Sequence, residues 1–541
     1  MMQSILALIA VAAALAAPVA SPKPLSAKPS AAQPAASAAT VPKPAVAPLS
    51  APATSSAALD DAVAATLHRL NTDPAAPCSD EVFFRRIYID LIGTIPDPQS
   101  TYNFLQDRSP NKRAVLIDFL FTRPEFADFG ALKWCDILRV KSEFPINLWP
   151  NAVQAYHKWL HDAVRDDMPY DRFVRALLTS SGSNFRVPPA NFYRAVQGRD
   201  PAAIAHAVAL TFMGTRIDSW PEAQRTGFAA FFSRIAYKHT DEWKEEIVML
   251  DPKPVDAPLK AVFPDGGPVT IAPDRDPREV FADWLISPSN PWFAKAIVNR
   301  VWFWIMGHGI IHEADDLRPD NPPASPELLA LLEKELVASH YDLRHIFRLI
   351  VNSRTYQSSS IPPEGKPDPK TLFARYTVRR LDAEVLIDAL DWLGNEGENY
   401  SSPIPEPYTF IPNENRTIAL ADGSITSQFL EQFGRPGRDT GLESERNLNA
   451  TDAQRLYLIN SADLQRRIER SPRINKLLMM ARGNRTTAIQ WIYLTILARY
   501  PTEPEAAAAD AYFKTPGLTA KQASDDIIWA LINSKEFMYR H

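Results

Sequence analysis

From residue 57 onward the apolar positions of this chain recur with the 3.6-residue period of a helix. Leu59, Val63, Ala64, Leu67 and Leu70 form one stripe, which stops near Asn71 and Pro74. Ser79-Asp80-Glu81-Val82 then supplies a capping signal for a helix whose apolar positions are Val82, Phe83, Ile87, Ile89, Leu91 and Ile92. Asp97-Pro98 and Ser109-Pro110 each set a capping residue before a proline at the first helical position. Similar starts return at Arg123-Pro124, Asp200-Pro201, Asp276-Pro277, Asn290-Pro291 and Ser325-Pro326. Period-two alternation is scarce. Val262-Phe263 and Val269-Thr270-Ile271 flank Pro264-Asp265-Gly266-Gly267 and read as one hairpin. Thr409-Phe410-Ile411 with Thr417-Ile418-Ala419-Leu420 reads as a second. No strand–helix series points to a parallel sheet.

The expected fold class is therefore all-α: mainly helical, with two helical domains and short β-hairpins in the connector and in a C-terminal loop. Residues 241–275 lose the helical period and hold six prolines. They form a Pro-rich connector between an N-terminal helical domain at 59–240 and a C-terminal one at 276–541. Residues 395–450 are a second irregular stretch, and loops of that length in a compact domain are usually functional or mobile.

The start of the chain is a different kind of segment. Residues 5–17, ILALIAVAAALAA, are apolar but too short to span a bilayer, and small residues suited to cleavage follow at Ala16 and Ala20. Residues 1–20 read as a signal peptide, although no Lys or Arg precedes the apolar run; the other reading is an uncleaved anchor. Residues 21–58 are built mainly of Ala, Pro and Ser, and 21–56 hold no aromatic or acidic residue. Such a segment buries too little to offset its ordering entropy and is expected to be a disordered spacer. Nine of the 48 prolines fall in 17–56, so the high proline count has two sources, a spacer and helix punctuation.

The net charge of −5, and of −8 once the three spacer lysines are set aside, argues against a nucleic-acid partner. Two cysteines, Cys78 and Cys135, exclude a disulfide-dense scaffold and any all-Cys metal site. Whether they pair or stay as buried thiols is left open.

Several groups of residues carry candidate chemistry. His308 and His312 are four apart, a spacing that puts both imidazoles on one helix face. They are weak candidate metal ligands, and the adjoining glycines Gly307 and Gly309 favour a polar helix exit. Arg379, Arg380, Asp382 and Glu384 open a helix expected at 381–393, where carboxylates suit the positive helix end and arginines pair with them. The segment 433–447, FGRPGRDTGLESERN, combines three glycines and three arginines with Asp439, Glu443 and Glu445. Opposite charges on a flexible backbone suit either a binding loop or an interdomain clasp. Arg380, Arg435, Arg438, Asp439 and Glu445 are the candidate binding residues. Asp316, Asp382 and Glu443 are the candidate acid–base carboxylates. Trp302 and Trp304 read as core, whereas Trp149, Trp159, Trp220 and Trp292 lie near polar loops where an indole can stack on a sugar.

Phe84-Arg85-Arg86-Ile87-Tyr88-Ile89-Asp90-Leu91-Ile92-Gly93-Thr94-Ile95-Pro96 and Asp166-Asp167-Met168-Pro169-Tyr170-Asp171-Arg172-Phe173-Val174 are followed in order by Asn290-Pro291-Trp292-Phe293-Ala294, Val298-Asn299-Arg300-Val301-Trp302 and Gly307-His308-Gly309. Leu349-Ile350-Val351-Asn352-Ser353-Arg354-Thr355-Tyr356, Arg379-Arg380-Leu381-Asp382-Ala383-Glu384 and Leu531-Ile532-Asn533-Ser534-Lys535-Glu536-Phe537 complete the series. In these segments the chain resembles the paired exported families of unknown function numbered 1549 and 1553, abundant in planctomycetes and verrucomicrobia. Many of those relatives carry a Cys-x-x-Cys-His haem-attachment segment before a Gly-Leu-Ala-Ala-Phe-Phe-like stretch. Residues 214–232 of this chain hold neither Cys nor His, so covalent haem has no thiols to attach to there, and no cofactor is expected.

The expectation is an exported helical binding or scaffold protein of an envelope complex, periplasmic or secreted, with protein partners and a polysaccharide as a second kind of partner. A membrane contact would come only through an uncleaved signal segment. The alternative is an extracellular hydrolase of glycans or esters with a carboxylate pair. A third reading is a degenerate relative of c-type electron-transfer proteins.

Overall fold

The structure, a computed structural model, describes residues 56–362, 373–405, 408–412 and 414–541. The segments read as a signal peptide and spacer lie outside the described residues up to residue 55, and residues 56–58, expected in the spacer, belong instead to the first helix. Helices make up 53% of the described residues, against seven short strands among them, so the mainly helical expectation holds.

The local signals act as their chemistry requires. Helix α1 spans Ser56–Arg69. Helix α2, Asp80–Ile92, starts where the Ser79 hydroxyl accepts from Val82 N and stops at Gly93 in the left-handed region. Asp97, Asp200, Asp276 and Ser325 cap helices that begin with the proline that follows each of them. Two proline signals mark the start early: the helices expected at Pro110 and Pro291 begin at Lys112 and Phe293. At the second, Asn290 spends its side-chain oxygen on Trp292 N and Phe293 N.

The connector hairpin forms as expected, with Leu259–Val262 antiparallel to Pro268–Ile271. The second expected hairpin does not. Thr417–Ala419 is a turn of 3-10 helix, because Asp388 accepts from Thr417 N at 2.6 Å and Ile418 N at 3.2 Å, and those donors are lost to a strand ladder. Two further sheets were not foreseen. Gly182–Ser183, Glu246–Leu250 and Ile235–His239 form an antiparallel sheet with Glu246–Leu250 in the middle. Arg379–Arg380 pairs with Tyr539–Arg540, which moves the start of the helix expected at 381 to Ala383; it runs to Gly394.

Two apolar cores organise the molecule. One draws on residues 59–376 together with Ala421; the other on 381–537 together with Ile89, Ile95, Phe129 and Leu132. Helix α2 and helix α3, Pro124–Ile137, face both: Phe83, Ile87 and Leu91 enter the first core and Ile89 the second, while Trp134 and Phe129 divide likewise. Every residue from Phe83 to Ile92 is buried as a result, including Arg85, Arg86 and Asp90. Charges on such helices have no route to water and must find partners. Among the described residues no helix is long and apolar enough to cross a membrane.

Candidate functional site

The seam between the two cores is a network of ion pairs. Asp90 accepts from the Tyr356 and Tyr376 hydroxyls at 3.0 and 2.8 Å, and from Arg379 and Arg540 at 3.1 Å each. The second terminal nitrogen of Arg540 lies 3.0 Å from Asp382, which also receives Lys133 Nζ at 3.0 Å. Burial alone would raise the pKa of Asp382, but Lys133, Arg540 and Arg446 together hold it well below the usual carboxylate range. Arg446 grips Glu384 with two nitrogens, at 2.6 and 3.1 Å, and reaches Asp136 at 2.6 Å. Arg438 reaches Asp136 at 2.9 Å.

A branch of the network begins at a π-helical turn. Residues Ala209–Met213 wind with the wider repeat, which frees carbonyls from the helical ladder. Arg300, from the helix Phe293–Met306, donates to Thr211 O at 2.8 Å and Leu210 O at 3.4 Å. Its remaining charge meets Asp315 at 2.5 Å and Glu443 at 3.5 Å. Glu443 also accepts from Trp304 Nε1 at 2.6 Å. Burial, reinforced by the neighbouring Asp315 charge, pushes its carboxyl up to about 7.

The loop 433–447 is fastened to this seam throughout. Arg380 donates to Phe433 O and Asn447 O, both at 2.7 Å, closing its two ends. Arg435 donates to the carbonyls of Ile425 and Asp422, and Arg438 to that of Ala421. Asp439 pairs with Lys141 at 2.6 Å. Glu445 folds back to accept from Asp439 N and Thr440 N. Gly441 presses so closely on Ile137 O that a side chain there would meet it at 2.6 Å.

Most of the residues singled out in the sequence thus come together. Arg380, Arg435, Arg438, Asp439 and Glu445 hold the loop, and Asp382 and Glu443 belong to the seam beneath it. Three stand elsewhere. Asp316 pairs with Arg318 at 2.9 Å. His308 and His312 follow the end of the helix Phe293–Met306 and stack ring on ring at 3.6 Å, instead of sharing a helix face. Among the described residues no set of three or more His, Cys, Asp or Glu side chains is placed to hold a metal ion. Cys78 and Cys135 are free, buried thiols, and burial raises that of Cys135 to about 12. Arg446 belongs to the loop singled out in the sequence, whereas the hubs Asp90, Lys133, Asp136, Arg300 and Arg540 are not among its candidate residues. For the four of these that lie in helices, the one local signal is a charge inside a largely apolar helix, as in Ile-Tyr-Ile-Asp-Leu-Ile.

A small aromatic cleft opens on the seam. Phe126, Trp134, Tyr170, Trp304 and Phe347 wall it, and Asp90 and Lys133 form its polar side. Its volume of about 70 Å³ holds several waters and falls short of the several hundred Å³ of a cofactor or drug-sized pocket. Trp304, expected in the core, is a half-buried wall of this cleft. The segment that opens at Gly214 is used structurally: Gly214 O accepts from Leu317 N at 2.8 Å and the Thr215 hydroxyl donates to Leu317 O at 3.0 Å. With no Cys or His in 214–232, these residues do not fit covalent haem.

Fold and site together define a mainly helical protein whose two apolar cores meet across a charged seam. Residues 58–220 match the family model PSCyt2, protein of unknown function DUF1549, and residues 277–513 match PSD1, protein of unknown function DUF1553. The chain therefore carries the two paired families, in that order. Among curated proteins and among solved structures, nothing matches the chain.

Proposed function

We propose that this chain is an exported helical binding or scaffold protein of the cell envelope, which holds its partners without turning a substrate over. The observation that carries the reading is the state of the three candidate carboxylates. Asp316 is taken by Arg318, Asp382 by Lys133 and Arg540, and Glu443 by Trp304 and Arg300. None of the three borders either of the two cavities described among these residues. A general acid must reach the atom it protonates, and these side chains reach one another. Export rests on the apolar run and spacer of residues 1–58.

One observation favours the hydrolase reading instead: Glu443, at about 7, has the protonation balance of a general acid near neutral pH. The test is turnover by the full chain on a panel of chromogenic glycosides and esters between pH 5 and 8. Rates no higher than those of Glu443→Gln are expected. Turnover that disappears in Glu443→Gln would replace the scaffold reading with the enzyme. In envelope extracts the protein is expected to migrate as part of a larger assembly, and migration as a free monomer would count against a scaffold.

A further inference from the structure

Three aromatic side chains meet at the surface beside the start of the helix Pro150–Arg165. The Trp149 ring lies 6.4 Å from Trp243 and 5.4 Å from Tyr408, and the Lys244 ammonium sits over both indoles at 5.6 and 5.4 Å. Trp243 and Tyr408 are 69% and 56% exposed. Leaving so much aromatic surface in water forgoes burial energy, and clustered exposure of this kind marks a contact surface. The backbone beneath is strained: Asn147, Trp149 and Lys244 have φ of 61°, 73° and 62°. Trp149, with ψ at 148°, occupies a region otherwise almost reserved for glycine. Strain of that order persists where the surrounding structure enforces it, often at ligand clamps.

The same helix leads from this platform into the larger cavity, of about 360 Å³, which is within the range of small-ligand pockets. Gln154, His157, Lys158 and His161 follow one another along one helix face and line it, with Asp128 and Asn415 nearby. Phe410, 71% exposed and two residues after Tyr408, adds an apolar wall. His161 Nε2 lies 3.4 Å from Asp128. His157 Nε2 is buried and has no hydrogen-bond partner. Burial, with Arg438 close by, lowers its pKa to about 3 and keeps the imidazole neutral. The opposite wall, Ile411, Pro412, Leu420 and Ile425 with Phe410, is apolar, so the cavity offers one polar and one apolar side, and an unpaired buried polar atom on the polar side calls for a partner.

We propose that platform and cavity form one groove for a polysaccharide chain, whose sugar rings stack on Trp243, Trp149 and Tyr408 and whose hydroxyls enter the cavity to meet His157 Nε2. The C–H faces of pyranose rings suit exposed indoles, and hydroxyls can give or take a hydrogen bond at a neutral imidazole. An acyl chain or apolar peptide segment would leave His157 Nε2 unpaired and give no partner to the side chains of Gln154 and Asn415. A nucleic acid would need a run of cations, whereas Lys244 and Lys158 stand here beside Asp128 in a chain of net charge −5. Trp149 and His157 are about 12 Å apart along the helix axis, the span of a short oligosaccharide. This groove is separate from the charged seam, and the proposal stands whether or not the protein is also an enzyme.

The test is affinity electrophoresis of the full chain through gels containing a soluble β-glucan, xylan, alginate or a sulfated galactan, with co-sedimentation on phosphatidylglycerol vesicles alongside. At least one polysaccharide is expected to retard the protein. The double variant Trp243→Ala/Tyr408→Ala should weaken that binding about tenfold or more with an unchanged melting temperature, since both side chains are exposed. His157→Leu should also weaken it; Asn415→Ala, at the half-buried mouth, gives the same reading should His157→Leu fail to fold. Retardation by none of the four polymers overturns the proposal, as does retardation that survives the double variant. Vesicle binding lost in the double variant, with no polysaccharide retardation, would assign the platform to a membrane surface instead.

Discussion

Glu443 and Asp382 sit in the same seam and answer to pH in opposite directions. Folding lifts Glu443 from the 4.5 of a free glutamate to about 7, through burial first and the Asp315 charge second. The folded state therefore binds the proton more tightly than the unfolded state. The stability this gives is complete below about pH 4.5 and is lost as pH rises through about 7, at most about 3 kcal/mol. In Glu443→Gln the amide oxygen can still accept from Trp304 but no longer titrates. Its melting temperature should fall less than that of the wild type between pH 5 and 8, as followed by calorimetry; parallel curves would contradict this assignment. Asp382 runs the other way: Lys133, Arg540 and Arg446 outweigh burial and depress it. Its contribution is present above the ordinary aspartate value of 3.8 and is lost only as pH falls through the lower folded value. Asp382→Asn would leave Lys133 without its carboxylate and take one of several from Arg540 and Arg446, and denaturant melts should show a loss of about 3–5 kcal/mol at neutral pH.

The loop 433–447 shows how a segment without regular structure is held in one shape. Gly434 and Gly441 have φ of 73° and 75°, and a side chain at either would strike backbone, Asn447 O at 2.2 Å or Ile137 O at 2.6 Å. Gly517 has a similar φ, 85°, but a Cβ there would meet no atom within 4 Å. Gly517→Ala should therefore cost only the left-handed backbone penalty, about 1–2 kcal/mol. Gly441→Ala should cost more and lift the loop, so that limited proteolysis cuts within 433–447 first. Equal stability losses would show that the close packing on Ile137 contributes nothing. This loop also marks what could be read in advance. Glycines and paired charges identify it, and capping residues and prolines locate the helix starts at Asp80, Pro98, Pro124, Pro201, Pro277 and Pro326, because those signals act within a few residues of themselves. The role of each charge was illegible. Arg446 meets Glu384 and Asp136, respectively 62 and 310 positions away, and no local pattern reports such a meeting. The missing hairpin at 409–420 has the same origin, since Asp388, about thirty residues earlier, takes the backbone donors that a strand there would have used.

At the scale of the molecule, the seam fastens both cores to one set of charges. Arg85 donates to Ile496 O and Phe537 O, and Arg86 to Tyr356 O, Ser358 O and His541 O. Arg540 joins Asp90 of helix α2 to Asp382 at the start of the helix Ala383–Gly394. Arg540→Ala should therefore loosen both cores at once. Hydrogen exchange is expected to speed up together in peptides covering 80–92 and 383–394, and faster exchange confined to one of them would show that the cores are held independently.

The strand pair Arg379–Arg380 with Tyr539–Arg540 also sets an order of events. Asp90 is made 450 residues before one of its two arginines, and Asp382 must wait for the same Arg540. While the chain emerges, the middle of the future seam holds carboxylates without their full complement of cations, and closing the cores over them would be costly. Early helices can form during synthesis, but the two cores can lock only after Arg540 arrives.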